Sequence, residues 1–488
     1  MARPVALVVV ALALAGAAAE LRPSAADAAP RAKGAVGLDK EKSAGAVKAL
    51  DAEIQELGGT TSALFIDMET GETLGAAHEH EAKNPASNAK IPTAAAALAI
   101  LGPEHHFVTG LFGKVKDGTV EELVLRGRGD PTLSTDDLGG LARDLRAAGV
   151  RKVVRILIDQ SYFDETFTPP AFDQQPNEWA YFRAPVAAAS INENTIRLQV
   201  RAGSDGDKAD IVVNPPGFVD IEGVIATGKK GSPESITCEL SAKGDRLLAK
   251  IGGQIPEGSR LVPIIKRVED PRRLAGFALR AVLKEQGVDV GDKVKLGGEE
   301  EKRALTTHSS RPLGEIVALL GKDSDNFAAE MLLKATGAGS SGSTSSAEGA
   351  KAVEGFLREH GALDNGMKVT NGSGLFDANR STAYGLVTLL SDVYQSPTLA
   401  PEFVAQLSIG GLDGTLKHRF GKWGKRRAIR AKTGTLAGAV ALSGYVLAQG
   451  GRRPVAFSIL VNGVNGKASQ CRAAMDKAVE VAANELWK

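Results

Sequence analysis

The stretch PASNAKIPTAAAALAIL, residues 85–101, decides the fold. Pro85-Ala86-Ser87 leads into Asn88–Leu101, whose alanine run is a strong helix former. A serine and a lysine three positions apart at the front of a helix share one face, one turn apart. A serine hydroxyl is a poor nucleophile until a neighbouring base takes its proton. Lysine is that base only when neutral, so its pKa must fall from about 10.4 to roughly 7–8. Desolvation and a nearby cation both push it down. Ser87 at the helix start also aims backbone N–H groups at the charge that develops during attack. Ser87 and Lys90 make the only Ser-x-x-Lys in the chain.

Outward from this stretch, Ser324-Asp325-Asn326 opens the helical run Asn326–Ala335, and Lys432-Thr433-Gly434-Thr435 holds the only Lys-Thr-Gly. Ser324 and Asn326 are expected to face Lys90 across a cleft. Ser324 would relay a proton to the leaving group, and the Asn326 amide would donate and accept to orient substrate. Lys432 is the cation available to depress Lys90. With Thr433, Gly434 and Thr435 on a strand edge, it forms a receptor for a terminal carboxylate. The backbone N–H groups of Ser87 and Thr435 are the expected oxyanion hole, a device valued at about 2.7–4 kcal/mol per donor. Each motif alone reads more readily as a helix cap or a solvated side chain. Their order, at a helix start, a helix start and a β-edge, favours a catalytic site. Ser190-Ile191-Asn192 is a rival middle motif, but it lies in a β-rich stretch with no helix after it.

Composition sets outer limits. The 488 residues carry 59 Lys+Arg against 58 Asp+Glu, a balance that argues against a dedicated nucleic-acid binder. At 43% hydrophobic and 24% charged, the chain reads as globular, with room for two to four domains. Cys238 and Cys471 cannot make a thiolate zinc cluster or a disulfide framework, and one disulfide between them stays open. Residues 1–19 have Arg3, an apolar run Val5–Ala15 and Gly16-Ala17-Ala18-Ala19, the parts of an export signal. A second cleavage site is Ala-Asp-Ala at 26–28, and an uncleaved anchor is the alternative. Export to the periplasm or cell exterior is expected, with no transmembrane anchor after cleavage.

Residues 20–42 read as a linker and Ala44–Leu57 as a helix. Ser62–Asp67 and Glu72–Ala77 read as strands. Residues 43–106 and 306–488 read as one discontinuous domain, and 107–305 as an inserted β-rich region of one or two domains with helices at Asp136–Ala148 and Asp270–Gln286. Ser345-x-x-Glu348 is a capping box for Ala347–His360, after a Gly/Ser-rich loop at 337–346. Gly438–Leu447 and Pro454–Val461 form a hairpin around Gln449-Gly450-Gly451. Ala468–Leu486 is a helix whose apolar face, Cys471, Met475, Ala478, Ala482 and Leu486, packs on that sheet rather than on a membrane.

The chain resembles the class C low-molecular-mass penicillin-binding proteins, the D-alanyl-D-alanine carboxypeptidase/endopeptidases of the penicillin-binding protein 4 or DacB type (serine peptidase family S13). The matching stretches are Pro85–Lys90, Gly129-Asp130-Pro131, Ser324–Glu330, Asn371-Gly372-Ser373-Gly374-Leu375 and Ala431–Leu436. The 237 residues from Ser87 to Ser324 fit that family's inserted domains. The resemblance implies an α+β, penicillin-binding/serine-β-lactamase-like core with a five-stranded antiparallel sheet. It also implies cleavage of D-Ala-D-Ala ends or D-amino-acid cross-links of peptidoglycan without metal or organic cofactor, and covalent inhibition by β-lactams. Three positions depart from the family: Asn371 where Asp is usual, Phe376 where Ser is usual, and Pro92 in the second turn after Ser87. The first would remove an ionic contact, and the last would cost a helix hydrogen bond.

Two rival readings are a serine β-lactamase and a non-catalytic peptidoglycan-binding or penicillin-sensing protein. The first lacks a Glu-x-x-Leu-Asn segment to hold a deacylating water; the second has only Asn371 and Phe376 in its favour. Residues 417–432 carry eight Lys/Arg and no acid, a solvated loop or a patch that attracts anionic cell-wall polymer. His78-Glu79-His80-Glu81 lacks metalloprotease spacing and reads as a surface turn.

Overall fold

The computed structural model describes residues 39–175, 178–298, 303–338, 344–448 and 453–487. The export signal at 1–19, its alternative site at 26–28, the centre of the Gly/Ser-rich loop and Gln449-Gly450-Gly451 lie outside these residues. The expected linker ends early. The Asp39 side chain caps the helix Lys40–Glu56, so Lys40–Lys42 already form its first turn.

The core sheet runs in the order Ser408–Ile409, Ile429–Leu436, Ala439–Val446, Val455–Asn462, Thr60–Asp67, Thr73–Ala77, antiparallel throughout. Five strands are long, and the sixth is a two-residue piece at the edge. Strands Ala439–Val446 and Val455–Asn462 sit mid-sheet, and their side chains alternate between two apolar layers. Ala441, Tyr445, Ala456 and Leu460 enter the layer with helices Lys90–Leu101, Asn326–Gly337 and Ala383–Gln395. Val440, Leu442, Phe457, Ile459 and Val461 enter the layer with Lys40–Glu56 and Ala468–Leu486. The apolar face of that last helix is buried there, from Cys471 to Leu486. Among the described residues no helix is long and apolar enough to cross a membrane. Cys238 and Cys471 are both free thiols.

Between the core's two segments the chain is rich in strands, and three of them form a parallel layer with helices. Thr119–Arg126, Lys152–Asp159 and Asp289–Leu296 are mutually parallel, a pairing that requires crossover connections. Helices Thr135–Ala147 and Leu274–Glu285 lie in those crossovers. Two three-stranded sheets branch from the second one. The return strand Ala304–Ser309 pairs with Val108–Phe112, so the inserted sheet runs to 309, beyond the boundary expected at 305.

A buried ion pair joins insertion and core. Lys334, on helix Asn326–Gly337 and with no exposed side-chain surface, donates to Asp164 and to Thr166 O at 2.7 Å, under the Phe163 ring. Removing one partner of such a pair strands a buried charge. Asp164→Ala should therefore destabilise the chain by about 3 kcal/mol, read as a lower urea midpoint. Asp164→Leu combined with Lys334→Met should recover most of that loss. A midpoint that Asp164→Ala leaves in place would show that the pair holds nothing.

Candidate active site

Ser87 sits on a 3-10 turn, Ala86–Ala89, that feeds the α-helix Lys90–Leu101, so the helix expected from Asn88 opens with a tighter turn. With three residues per turn, side chains three apart eclipse, which brings Ser87 and Lys90 together. Pro92 falls third in the α-helix. There its missing N–H is one that no intrahelical acceptor would have met, so the expected cost is not incurred.

Lys90 Nζ lies 3.2 Å from Ser87 Oγ, 2.7 Å from Asn326 Oδ1 and 2.7 Å from Ser373 O. The residue is 1% exposed. Burial lowers its pKa to about 7, while Glu330 and Asp325 push it back upward. Burial thus does the work expected of Lys432. A neutral amine has two N–H donors and one lone pair. Donation to the two carbonyl oxygens leaves the lone pair for the Ser87 hydroxyl.

Helix Leu313–Ala318 runs into a π-helical turn, Leu319–Asp323, which ends with Ser324 in left-handed backbone, φ 59°. The Asp325 carboxylate then accepts from Ala328 N–H and caps Asn326–Gly337. Asn326 meets Lys90 as expected. The Ser324 Oγ accepts from Lys432 Nζ at 2.8 Å. Lys432 also donates to Thr433 O at 2.8 Å and is wholly buried, and burial followed by Lys90 holds its pKa well below the usual lysine value. The rival Ser190 hydroxyl is occupied by Ala187 O and the Asn194 amide.

Strand Ile429–Leu436 presents an open edge to this cleft. Its outer neighbour pairs only with Arg430 and Ala431. Gly410 N–H donates to Ile429 O, and the register towards Ala439–Val446 is unbroken, so Thr433 and Thr435 also turn their backbone groups outward. Gly434 is required here, because a Cβ would stand 2.8 Å from Pro85 O and 3.1 Å from the Ala86 Cβ. Thr433 Oγ1 donates to Thr415 Oγ1 at 2.8 Å, and Thr435 Oγ1 donates to Gly434 O at 2.8 Å.

The motifs gave no role to Ser373 or Glu330. Glu330, fully buried, accepts from Ser373 N–H at 2.8 Å and Gly372 N–H at 3.1 Å, and so fixes the residue whose carbonyl holds Lys90. Burial raises its pKa against these hydrogen bonds. The available signal was helical spacing, since Asn326 and Glu330 are one turn apart. The next residue, Gly374, has φ 75°, and a Cβ there would meet Ala86 O at 1.9 Å.

Asn371 does not leave a vacant ionic contact. Its amide donates to Pro170 O and Leu375 O, and its Oδ1 accepts from Gly374 N–H and Asn379, so an ionised Asp would forfeit two donors. Phe376 sets its ring edge-on to Phe172 and under the Arg183 guanidinium. It lines a hollow of about 460 Å³ with Asn84, Gln174, Arg380 and Leu436. In the basic run, Arg419 and Lys422 pair with Asp476 and Glu480 of the C-terminal helix, while Lys417, Lys425, Arg426 and Arg427 remain exposed. His78 and His80 pair on the surface with Asp51 and Asp364.

Comparison with known proteins gives a consistent picture. The model of the D-Ala-D-Ala carboxypeptidase 3 (S13) family matches residues 44–485. A D-alanyl-D-alanine carboxypeptidase of Actinomadura sp. (strain R39) is 32% identical over 431 residues, 84% of this chain and 79% of that protein. The carboxypeptidase DacB of Haemophilus influenzae is 25% identical over 393 residues, 78% and 80% of the two chains. The crystal structure of penicillin binding protein 4 from H. influenzae shares the fold, with TM-score 0.74 at 23% identity over 91% of this chain and 99% of that one. A peptidoglycan endopeptidase from Bdellovibrio bacteriovorus superposes with TM-score 0.51 at 14% identity, over 87% and 92% of the chains.

If neutral Lys90 is the base, the rate of Ser87 acylation by a penicillin should climb about tenfold per pH unit up to about 7 and then level off. Glu330→Gln removes a negative charge that favours the protonated amine, so the rising limb should move to lower pH. A limb unmoved by that substitution would separate Glu330 from the titration of Lys90.

Proposed function

The chain belongs to the D-Ala-D-Ala carboxypeptidase 3 (S13) family, and on that premise we propose that it is a serine DD-peptidase acting on peptidoglycan peptides through an acyl-enzyme on Ser87. The scissile bond is the D-Ala-D-Ala end of a stem peptide, a D-amino-acid cross-link, or both. Penicillins occupy the same serine. The leader-like residues 1–19 and the nature of the substrate support action outside the cytoplasm, in the periplasm or at the cell wall.

In this reading Ser87 Oγ attacks the carbonyl between the two D-residues as Lys90 takes its proton. The tetrahedral oxyanion lies between the backbone N–H groups of Ser87 and Thr435, the second of which faces the open strand edge. Ser324, held by Lys432, relays to the departing amine the proton that Lys90 has taken, which leaves Lys90 neutral again. Water then attacks the ester, with Lys90 again taking a proton, and the serine is restored. Asn326 fixes the Lys90 amine through Oδ1 and donates an amide hydrogen to Phe182 O, tying the inserted region to the cleft. The proposed roles of Ser87, Lys90, Ser324, Asn326, Lys432 and the Thr433–Thr435 edge call for no metal or organic cofactor.

One observation carries the reading: a lysine amine, dry and biased to neutrality, lies 3.2 Å from the only hydroxyl among its three partners.

Penicillin labelling followed by peptide mapping should give a single adduct on Ser87, absent in Ser87→Ala. A pentapeptide ending in D-Ala-D-Ala should lose D-Ala, and Lys90→Ala should slow that release about 10²–10⁴-fold. Prompt penicillin turnover without a lasting adduct would make the protein a β-lactamase. An adduct with no D-Ala release would make it a penicillin-binding sensor.

A further inference from the structure

We propose that Arg472, on the C-terminal helix, binds the free carboxylate of the residue that leaves, and so helps to select substrates that carry one. The proposal deepens the DD-peptidase reading and rests on it for the identity of the peptide. Both a D-Ala-D-Ala end and a cross-link made at a D-centre place a carboxylate one carbon from the scissile nitrogen. The outer edge of Ile429–Leu436 is where that group arrives.

Lys432 is badly placed to meet it. Its ammonium points inward to Ser324 Oγ and Thr433 O, it is 1% exposed, and burial together with Lys90 disfavours its charge. The hydroxyls of Thr433 and Thr435 are neutral. A carboxylate leaving water for this edge therefore lacks a dependable positive partner among the Lys-Thr-Gly-Thr residues. Desolvating an anion without one is costly.

Arg472 supplies the charge. Its Nη2 donates to Thr435 Oγ1 at 3.2 Å, and this is its only side-chain hydrogen bond among the described residues. Asp476, one turn further along the same helix, would be its natural partner. That carboxylate is instead taken by Arg419, through both Nε and Nη2. The Arg472 guanidinium is thus left half-buried against a neutral hydroxyl, with no ion pair among the described residues and with unspent donors from its fork of five. An oxygen that accepts from Thr435 Oγ1 would lie within reach of that fork, and guanidinium–carboxylate pairs readily form two parallel hydrogen bonds. On binding, the Thr435 hydroxyl would turn from Gly434 O to the carboxylate, while Arg472 shifts from Oγ1 to the same group.

The test compares a D-Ala-D-Ala pentapeptide with its C-terminal amide, and a penicillin with its methyl ester. The readouts are kcat/KM for D-Ala or D-alaninamide release and the acylation rate of Ser87. Wild type should favour the free acid in both pairs. Arg472→Ala should lower the acid-to-amide and acid-to-ester ratios by about 10–100-fold, mainly through KM for the peptide. Arg472→Gln, which keeps a donor for Thr435 without the charge, should behave like Arg472→Ala and also guards against a folding defect, while Arg472→Lys should restore part of the ratio. Ratios unchanged in Arg472→Gln, with stoichiometric Ser87 labelling, would overturn the proposal. If wild type labels but releases no D-Ala, the DD-peptidase reading fails on its own, and the acid-to-ester ratio still decides the role of Arg472.

Discussion

The site depends on keeping one amine out of water. Lys90 is useful as a base only while uncharged, and burial is the first and largest cause of its lowered pKa. That requirement explains features far from Ser87. The nine residues from Lys90 to Leu98 are all buried, an unusual condition for a helix that starts with a lysine. The 3-10 turn brings the serine over the amine without lengthening the α-helix. The segment Asn371–Gly374 is pressed so close to Ala86 that Gly374 cannot carry a side chain. Charge opposes burial here: Glu330 and Asp325 both favour the ammonium. The balance lands near neutrality, where an amine can accept a proton in one step and return it in the next.

Much of this was legible in the sequence where the signal was local. The Ser87–Lys90 spacing, the helix opening at Asn326, the capping box at Ser345 and the apolar stripe of Ala468–Leu486 are each set within a few residues, and each appears in the structure. What the sequence hid was long-range or carried by the backbone. Ser373 contributes a carbonyl oxygen, which any residue possesses, so no side-chain pattern could mark it. That the Ser324 hydroxyl would accept from Lys432 was hidden too, because it depends on a left-handed residue after a π-helical turn. The parallel pairing of Thr119–Arg126, Lys152–Asp159 and Asp289–Leu296 joins strands more than a hundred residues apart in part, and short apolar runs do not encode their direction. Asn371 looked like a lost charge. In its setting it is an amide whose donors meet two carbonyls, and the correct reading needed those acceptors in view.

One helical face explains why the catalytic pieces and the insertion come together. Asn326, Glu330 and Lys334 recur every fourth residue of Asn326–Gly337, so they line one side of it. The first holds the Lys90 amine, and the second clamps the N–H groups of Gly372 and Ser373, the latter being the residue whose carbonyl is that amine's other acceptor. The third reaches Asp164 and Thr166 of the inserted region. A lateral shift of this helix would move the base, its backbone acceptor and the inserted wall together. The insertion is therefore mechanically continuous with the proposed proton-transfer site.

That continuity bears on why a chain would retain two ionisable groups in so dry a stripe. Buried ion pairs are weak evidence for stability, since well-packed apolar residues often serve as well. Here each group also has a geometric task that an apolar side chain could not perform. Glu330 must accept from two backbone N–H groups, and a leucine would leave both unsatisfied beside the amine. Lys334 must satisfy a carboxylate and a carbonyl brought in by a different part of the chain. The Glu330 carboxylate also favours the ammonium form of both Lys90 and Lys334, and so limits how far burial lowers their pKa values. The polar stripe is accordingly better understood as an alignment device for the base than as a source of folding energy.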